Sequence, residues 1–311
     1  MYRFKNLMVG LTVGDRDRAK IRYAGLVSWL ASSEKITFGH VVSSAELPDK
    51  AHLNPEILEQ IRSGTNHSME ALVDKYYDGR PGAKLEYEVF FEKPLIEIDI
   101  LRQFKEREIE LVVIGRISGE FTSKETLPVK LTRKAPCSVL YVPEESEPQR
   151  MQPEEINIVV PIDFSENSMD ALELARDFAA AHEVPRITCL HVYDVPLGYY
   201  KRGKSYEEFS AIMKSNAEKR YEEFIREMDL KGVVVSFITR RLDKKAHKAI
   251  NEIVHEHDID LIVIGSRGRE AAARFLLESV TEQLIRMTTV PLLSVRRKGK
   301  GMSFFEALLK L

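Results

Sequence analysis

The chain has 311 residues, enough for two domains of about 100–200 residues each. Hydrophobic residues make up 44% and charged residues 30%, which is typical of a globular protein and excludes a disordered or fibrous chain. Lys and Arg number 46 against 48 Asp and Glu, so the net charge of -2 gives no whole-chain reason to expect binding to nucleic acid or to an anionic membrane.

The predicted strands repeat along the chain. NLMVGLTV, from residue 6, resembles NIVVPIDF, from residue 157, at an offset of 151, and FGHVV resembles CLHVY at the same offset. LVVIG at 111–115 matches LIVIG at 261–265. The sequence therefore predicts a tandem duplication, with one domain over 1–143, a polar, proline-containing linker over 144–154, a second domain over 155–297 and a tail over 298–311.

Within the second copy, apolar strands alternate with amphipathic helices. The predicted strands lie at about 156–162, 187–193, 233–238, 260–264 and 291–295, and the helices lie near 166–182, 205–228, 243–257 and 275–287. This alternation indicates two tandem doubly wound α/β domains, each with a five-stranded parallel sheet. Ligands of such sheets bind at the carboxyl ends of the strands, which points to Asp163 after the first strand, His191 and Val192 at the end of the second, and Gly265 at the end of the fourth.

Four blocks of the second copy carry a family resemblance. In chain order they read VVPIDFSENSMDALELA, CLHVYDV, DLIVIGSRGREAAARFLLESV and VPLLSV. They resemble the universal stress protein family, and the internal repeat extends the resemblance to the first copy. The resemblance implies the nucleotide-binding, adenine alpha-hydrolase-like form of the α/β fold.

The resemblance also implies a ligand. Members of this family that bind ATP have an Asp after the first strand, a Val at the end of the second, and a G-x2-G-x9-G-(S/T) loop. The carboxylate and the strand-end backbone recognise the nucleoside, and the glycines let backbone N–H groups approach the phosphates. The implied site for ATP with Mg²⁺, or for a related adenine nucleotide, consists of Asp163, Val192, Ile264, Gly265, Ser266, Arg267, Gly268, Ser279 and Val280.

Two departures from the family pattern bear on this site. Glu278 stands at the third glycine of the loop, where its carboxylate opposes the triphosphate unless neighbouring arginines or Mg²⁺ neutralise it. In the first copy Thr12 stands at the position of Asp163, the loop region is five residues shorter, and Pro128 interrupts the helix that follows. We expect no nucleotide site of the family type in the first copy.

A different phosphate motif occurs at Gly198–Ser205, GYYKRGKS, which satisfies the P-loop formula G-x4-G-K-[ST]. A P-loop follows its strand directly, whereas the residues DVPL separate this segment from its strand. A coincidental match is the favoured interpretation. In the alternative, the segment's three cations, Lys201, Arg202 and Lys204, attract an anionic ligand near the mouth of the pocket.

Several other polar residues favour structural roles. His255 and His257 are two positions apart and face different sides of a helix end, so no metal site is expected. His40 and His191 are interpreted as buried histidines with satisfied hydrogen bonds, and Cys137 and Cys189 as inert core residues. The third pair, Arg240 and Arg241, is interpreted as a solvated basic patch after the third strand of the second copy.

The tail contains a capping box, Ser303-x-x-Glu306, followed by Phe304, Phe305, Leu308 and Leu309 on one helical face. So short a helix needs a surface to fold against. Its own body or a dimer mate is the favoured surface, and a partner protein or a membrane interface next to the basic run is the alternative.

The leading hypothesis is a cytoplasmic stress-response protein that binds an adenine nucleotide in its second domain without useful turnover. Reduced cysteines, and the lack of a targeting segment or of a bilayer-length apolar run, favour the cytoplasm. The family resemblance implies pairing through the last strand of each copy, which would give a pseudo-dimer within the chain, and two chains are then expected to form a homodimer. The competing hypotheses are a nucleotide-free interaction protein acting through the last strands and the tail, and a P-loop phosphohydrolase using Lys204.

Overall fold

The computed structural model describes residues 4–43, 47, 54–91, 96–116, 135–146, 152–182, 184, 186–243, 245–266 and 280–296. These residues form two compact units, the first within 4–146 and the second within 152–296. Both units alternate strands and helices. None of the helices in these ranges is long and apolar enough to cross a membrane.

The first unit contains a parallel sheet in the order β3-β2-β1-β4-β5. Its strands are β1 (Asn6–Leu11), β2 (Lys35–Val42), β3 (Lys84–Phe91), β4 (Leu111–Arg116) and β5 (Ser138–Pro143). Its helices are α1 (Asp17–Leu30), α2 (Pro55–Tyr76) and α3 (Ile96–Glu106).

The second unit repeats this topology in the order β10-β9-β6-β7-β8. Its strands are β6 (Asn157–Pro161), β7 (Arg186–Tyr193), β8 (Val235–Arg241), β9 (Leu261–Gly265) and β10 (Leu292–Val295). Its helices are α4 (Glu166–His182), α5 (Tyr206–Arg226), α6 (Ala246–Glu256) and α7 (Val280–Met287). A helix was predicted near 275–287, and its first five residues, 275–279, lie outside the described residues.

The central strands form the core of each unit. Every residue from Leu261 to Ile264 in β9 is buried, although successive side chains point to opposite faces of the sheet. Both faces are therefore covered, as a doubly wound sheet requires. The predicted α/β fold with parallel five-stranded sheets is confirmed.

The third strand of the second unit was predicted too early in the chain. The apolar residues Val233 and Val234 suggested a start at 233, but Lys231 and Gly232 adopt positive φ angles of 52° and 78° and form a turn there. The strand starts at Val235 and extends through Arg241, because β8 pairs residue by residue with β7 up to Tyr193.

A cation from the turn before the third strand binds the first helix, or the residues just after it, in both units. In the first unit, Arg80 Nη1 donates to the carbonyl oxygens of Ser32 at 2.7 Å and Ser33 at 2.9 Å. In the second, Lys231 Nζ lies 2.7 Å from Asp177. Positions 80 and 231 are separated by the repeat offset of 151, so the repeat keeps the link while changing its residues.

Candidate functional site

The carboxyl ends of three adjacent strands form the candidate site of the second unit. Strand β6 lies between β7 and β9 in the sheet. Asp163 follows β6 by two residues, Val192 is the penultimate residue of β7, and Gly265 ends β9. Since these parallel neighbours end at the same edge, the structure brings the three predicted positions together.

Asp163 is held in a polar turn at the start of α4. Its Oδ1 accepts hydrogen bonds from the Ser165 amide and from the hydroxyls of Ser165 and Ser168. The Asp163 amide in turn donates to Ser168 Oγ at 3.0 Å. Among the described residues no donor contacts Oδ2, and the residue is exposed, so this oxygen can accept from a ligand.

The turn also sets the charge of Asp163. Partial burial acts to raise the pKa of this carboxyl, but the hydrogen bonds from Ser165 and Ser168 outweigh it and hold the pKa below its usual value. The side chain is therefore an anion at neutral pH. The adjacent N-terminus of α4 favours the same negative charge.

The backbone of Val192, in β7, faces the end of the neighbouring strand β6. The Ile162 amide donates to the Leu190 carbonyl at 2.8 Å, so the backbone groups of Leu190 face β6. Residues two apart in a strand direct their backbone groups to the same side, hence those of Val192 also face this side. Because β6 ends at Pro161, the N–H and C=O of Val192 lie beside the point where the chain leaves the sheet towards Asp163.

Gly265 is required by close packing. A Cβ atom at this position would lie 2.2 Å from the backbone oxygen of Asn167, which belongs to α4. No side chain fits so near a backbone atom. The first glycine of the predicted loop therefore has a packing role that is independent of any phosphate.

Of the other predicted site residues, Ile264 is buried, Ser266 donates its amide to the Val295 carbonyl at 2.8 Å, and Val280 begins the described part of α7. Arg267, Gly268 and Ser279 lie outside the described residues, as does Glu278. The structure thus describes the nucleoside half of the expected site.

His191 and His40 occupy equivalent places in the two units. His191 Nδ1 lies 2.9 Å from the Ile162 carbonyl and His40 Nδ1 lies 2.9 Å from the Leu11 carbonyl. A carbonyl oxygen only accepts, so each Nδ1 carries a hydrogen. The satisfied buried histidine is confirmed for His40, whereas His191 has the same bond but is only half-buried. Burial, and to a lesser extent Arg220, lowers the pKa of His191.

The first unit builds the equivalent turn from different residues. Thr12 stands in place of Asp163, and the carboxylate comes from Asp17, at the position of Ser168. Asp17 accepts from the Thr12 amide at 2.9 and 3.0 Å, the Thr12 hydroxyl at 2.9 Å and the Gly14 amide at 3.2 Å. Lys20 Nζ lies 2.6 Å from the same carboxylate, and both side chains are almost fully buried.

Lys20 also lies under the end of β4. A Cβ atom on Gly115, the counterpart of Gly265, would lie 3.0 Å from Lys20 Cδ. Both oxygens of Asp17 are already bonded, so this turn has no carboxylate oxygen left for a ligand. The second unit has Ala171 in place of Lys20 and leaves Asp163 Oδ2 open.

The P-loop interpretation of Gly198–Ser205 does not fit the local structure. Ser205 Oγ accepts from the Glu208 amide at 3.2 Å, and the Glu208 carboxylate accepts from the Ser205 amide at 2.7 Å. This capping box occupies the start of α5 with the protein's own carboxylate. A P-loop would instead offer these groups to phosphate and magnesium.

The basic patch predicted after the third strand is wrong. Arg240 and Arg241 are half-buried residues of β8 itself, because its ladder with β7 continues to Tyr193. Arg240 pairs with Glu256, and Arg241 Nη1 lies 3.0 Å from Glu207. Both guanidinium groups are thus neutralised within the unit.

The predicted core cysteines are confirmed. Cys137 and Cys189 are free and buried, and burial raises the pKa of the Cys189 thiol to about 12, so it is protonated and unreactive at neutral pH.

His255 and His257 are both exposed at the end of α6. Within the described ranges, His, Cys, Asp and Glu form no group of three that would hold a metal. Pro128 and the tail 298–311 lie outside those ranges.

Sequence reasoning missed two features of these turns. It did not assign Ser165 and Ser168 as donors to Asp163, although a D-x-S-x2-S pattern is visible at 163–168. It also missed the Asp17–Lys20 pair. Alignment of the two copies residue by residue would have shown the carboxylate moving from the strand end to the first turn of the helix.

Comparisons with known proteins agree with this architecture. The model of the universal stress protein family matches residues 156–296. Two universal stress proteins of Methanocaldococcus jannaschii are similar to this chain. One is 30% identical over 157 residues, which cover 46% of this chain and 95% of that protein. The other is 28% identical over 145 residues, which cover 46% of this chain and 83% of that protein. The crystal structure of a universal stress protein from Archaeoglobus fulgidus is 19% identical and covers 95% of this chain and 99% of its own, with a TM-score of 0.64 that shows the common fold.

Proposed function

Because the chain belongs to the universal stress protein family, we propose that its second unit binds ATP or a related adenine nucleotide as a regulatory ligand. The observation that carries this proposal is the nearness of an anionic Asp163, whose Oδ2 has no donor among the described residues, to the backbone of Val192, which lies beyond the last β6–β7 pair at Pro161 and Leu190. A carboxylate oxygen accepts from ribose hydroxyls, and a backbone N–H with its C=O matches the donor and acceptor edge of adenine.

The remaining residues of the site would bind the phosphates. Gly265, Arg267, Gly268 and Ser279 belong to the loop that cradles phosphate in ATP-binding family members, and Ile264 and Val280 would line its base. Bound Mg²⁺ would neutralise phosphate charge beside Glu278. The described carboxylate and backbone groups fit the nucleoside part of such a ligand.

We expect the nucleotide to be bound without useful turnover. The lowered pKa of Asp163 makes it a weak general base, and its Oδ1 is already saturated by the serines. The nucleotide would therefore act by stabilising the second unit when it is bound.

Replacing Asp163 by asparagine tests the nucleoside half of the site. Asp163→Asn keeps an acceptor for the serines and replaces the open Oδ2 by an NH₂ donor. The loss of a charged hydrogen bond should weaken Mg-ATP binding about 10–100-fold in calorimetric titration. The matched control is Thr12→Ala, at the equivalent position of the first unit, which should leave the affinity unchanged.

Two results would contradict the proposal in different ways. If the wild type binds none of ATP, ADP, AMP and cyclic AMP, the proposed function is wrong. If the wild type binds and Asp163→Asn binds equally well, the position of the site is wrong. Gly268→Asp extends the test to the phosphate loop and should abolish binding.

A nucleotide-free interaction protein is the second candidate function. The observation that favours it is the turn of the first unit, where Lys20 and Asp17 fill the equivalent place. In this candidate the chain would form a pseudo-dimer, two chains would join as a homodimer, and a partner would bind the tail. Deletion of 302–311 distinguishes the two: nucleotide binding should persist in the first case, and assembly should be lost in the second, as measured by sedimentation.

A further inference from the structure

The segment 195–205, here called the tyrosine loop, joins β7 to α5 and exposes apolar side chains. Leu197 is fully exposed at the apex of the loop, and Tyr200 is 66% exposed. Neither residue takes part in the candidate nucleotide site. Large apolar side chains exposed together usually mark an interaction surface.

Contacts at its base support the loop in this arrangement. Val195 is buried and anchors its first turn, while the Tyr199 ring packs against Tyr200 at 5.9 Å and against Tyr206 at 5.4 Å between centroids. The Arg241 guanidinium lies 5.2 Å from the Tyr206 ring and continues this row into β8. The apolar tip is therefore supported from below and projects outward.

Two glycines allow this path of the chain. Gly198 and Gly203, at φ angles of 92° and 68°, bracket the short helical turn Tyr199–Arg202. Both lie in the left-handed region that favours glycine. The capping box at Ser205 then fixes the direction of α5.

The charge of the tyrosine loop complements an anionic surface. Residues 195–205 include Lys201, Arg202 and Lys204 and no acidic residue, and Lys204 is exposed. Asp194 precedes the loop; of the two acidic residues that follow it, Glu207 pairs with Arg241 and Glu208 caps Ser205. Leucine enters the acyl region of a bilayer, tyrosine lies at its interface, and each nearby cation is attracted to anionic headgroups. A deformable bilayer accepts a projecting Leu197 without a preformed pocket, whereas a nucleic acid would leave this side chain in water.

We propose that the tyrosine loop docks the protein on anionic phospholipid membranes, with Leu197 and Tyr200 inserted and Lys204 at the headgroups. One short loop gives a reversible contact that weakens as salt screens the cations. This role is independent of nucleotide binding in the second unit.

Sedimentation with vesicles tests the proposal on the full chain. The protein should sediment with vesicles of phosphatidylcholine and phosphatidylglycerol at low salt, and much less with pure phosphatidylcholine. Leu197→Ser should reduce the bound fraction at limiting lipid about tenfold, since one leucine side chain no longer leaves water. Lys204→Glu should reduce it and flatten its salt dependence.

Matched controls isolate the loop from general surface effects. Val234→Ser removes another exposed apolar side chain, and Lys219→Glu reverses another exposed lysine; both should bind vesicles like the wild type. Circular dichroism of Leu197→Ser should equal that of the wild type, because the side chain makes no buried contact.

Three results would overturn the proposal. The first is a wild type that ignores anionic vesicles. The second is full binding by Leu197→Ser, which would place the membrane contact elsewhere on the chain. The third is a change of oligomeric state in Leu197→Ser without vesicles, which would make the loop an interface between copies.

Discussion

The carboxylate beside the first strand stands at a different position in each unit. Asp163 comes from the strand end and keeps Oδ2 open, whereas Asp17 comes from α1 and is closed by Lys20. The residues before the helix nevertheless follow the same path, since Val13 and Phe164 both adopt positive φ angles, of 59° and 64°. The same backbone turn therefore holds a carboxylate with an oxygen open to a ligand in one unit and a carboxylate bonded on both oxygens in the other.

The Asp17–Lys20 pair should stabilise the first unit. Lys20→Met leaves a buried carboxylate without its cation, which costs about 3–5 kcal/mol of the free energy of unfolding. Urea unfolding followed by fluorescence measures this effect in the first unit alone, because Trp29 in α1 is the only tryptophan of the chain.

A double variant supplies the control for this prediction. Asp17→Ser with Lys20→Ala installs the residues of the second unit, Ser168 and Ala171, and should be less destabilising than Lys20→Met. Equal losses in both variants would mean that side-chain packing, and not charge pairing, sets the stability. Burial opposes ionisation of Asp17, yet Lys20 and the backbone donors hold its pKa below the usual value, so this stabilisation is present near neutral pH and is lost as the pH falls through the folded pKa.

At the scale of elements, contact between β9 and α4 shapes the candidate site. Gly265→Ala would place a Cβ atom 2.2 Å from the Asn167 carbonyl oxygen and push the start of α4 away from the sheet. Overpacking of this kind costs about 1–3 kcal/mol or more. Circular dichroism during urea unfolding should show the second unit melting earlier, while Trp29 fluorescence stays unchanged.

Two glycines of the first unit serve as controls for this element. A Cβ on Gly115 would first meet the Lys20 side chain, at 3.0 Å, and one on Gly10 would have ordinary contacts at 3.7 Å. The destabilisation should decrease in the order Gly265, Gly115, Gly10 when each is replaced by alanine. An unchanged midpoint for Gly265→Ala would contradict the close approach of α4.

The element pattern could be predicted from the sequence wherever it depends on periodicity. The alternation of apolar strands and amphipathic helices located α4 and the buried strands β6 and β9, because burial on both faces leaves continuous apolar runs. The start of β8 could not be found in this way, since the apolar Val233 and Val234 lie between the turn at Lys231 and Gly232 and the first residue of the strand, Val235. Pairing with β7 decides that boundary, and pairing is a property of the folded sheet.

In the whole molecule, the two units have the same strand order and different turns after their first strands. The repeat of the sequence predicted the topology but not the difference between the turns, because a comparison of single positions finds Thr12 opposite Asp163 and misses Asp17 five residues later. Side-chain networks such as Asp163 with its two serines, or the tyrosine row behind Leu197, depend on the folded backbone. The sequence shows the D-x-S-x2-S pattern at 163–168, but only the structure shows which of its side chains form hydrogen bonds.

We propose that the chain has one adenine-nucleotide site, in the second unit. Equilibrium dialysis of the full chain against saturating labelled ATP with Mg²⁺ counts such sites directly. We predict about one ATP per chain, because Asp163 is open and the turn of the first unit is filled by Lys20. A value near zero would contradict nucleotide binding, and a value near two would contradict the closure of the first unit.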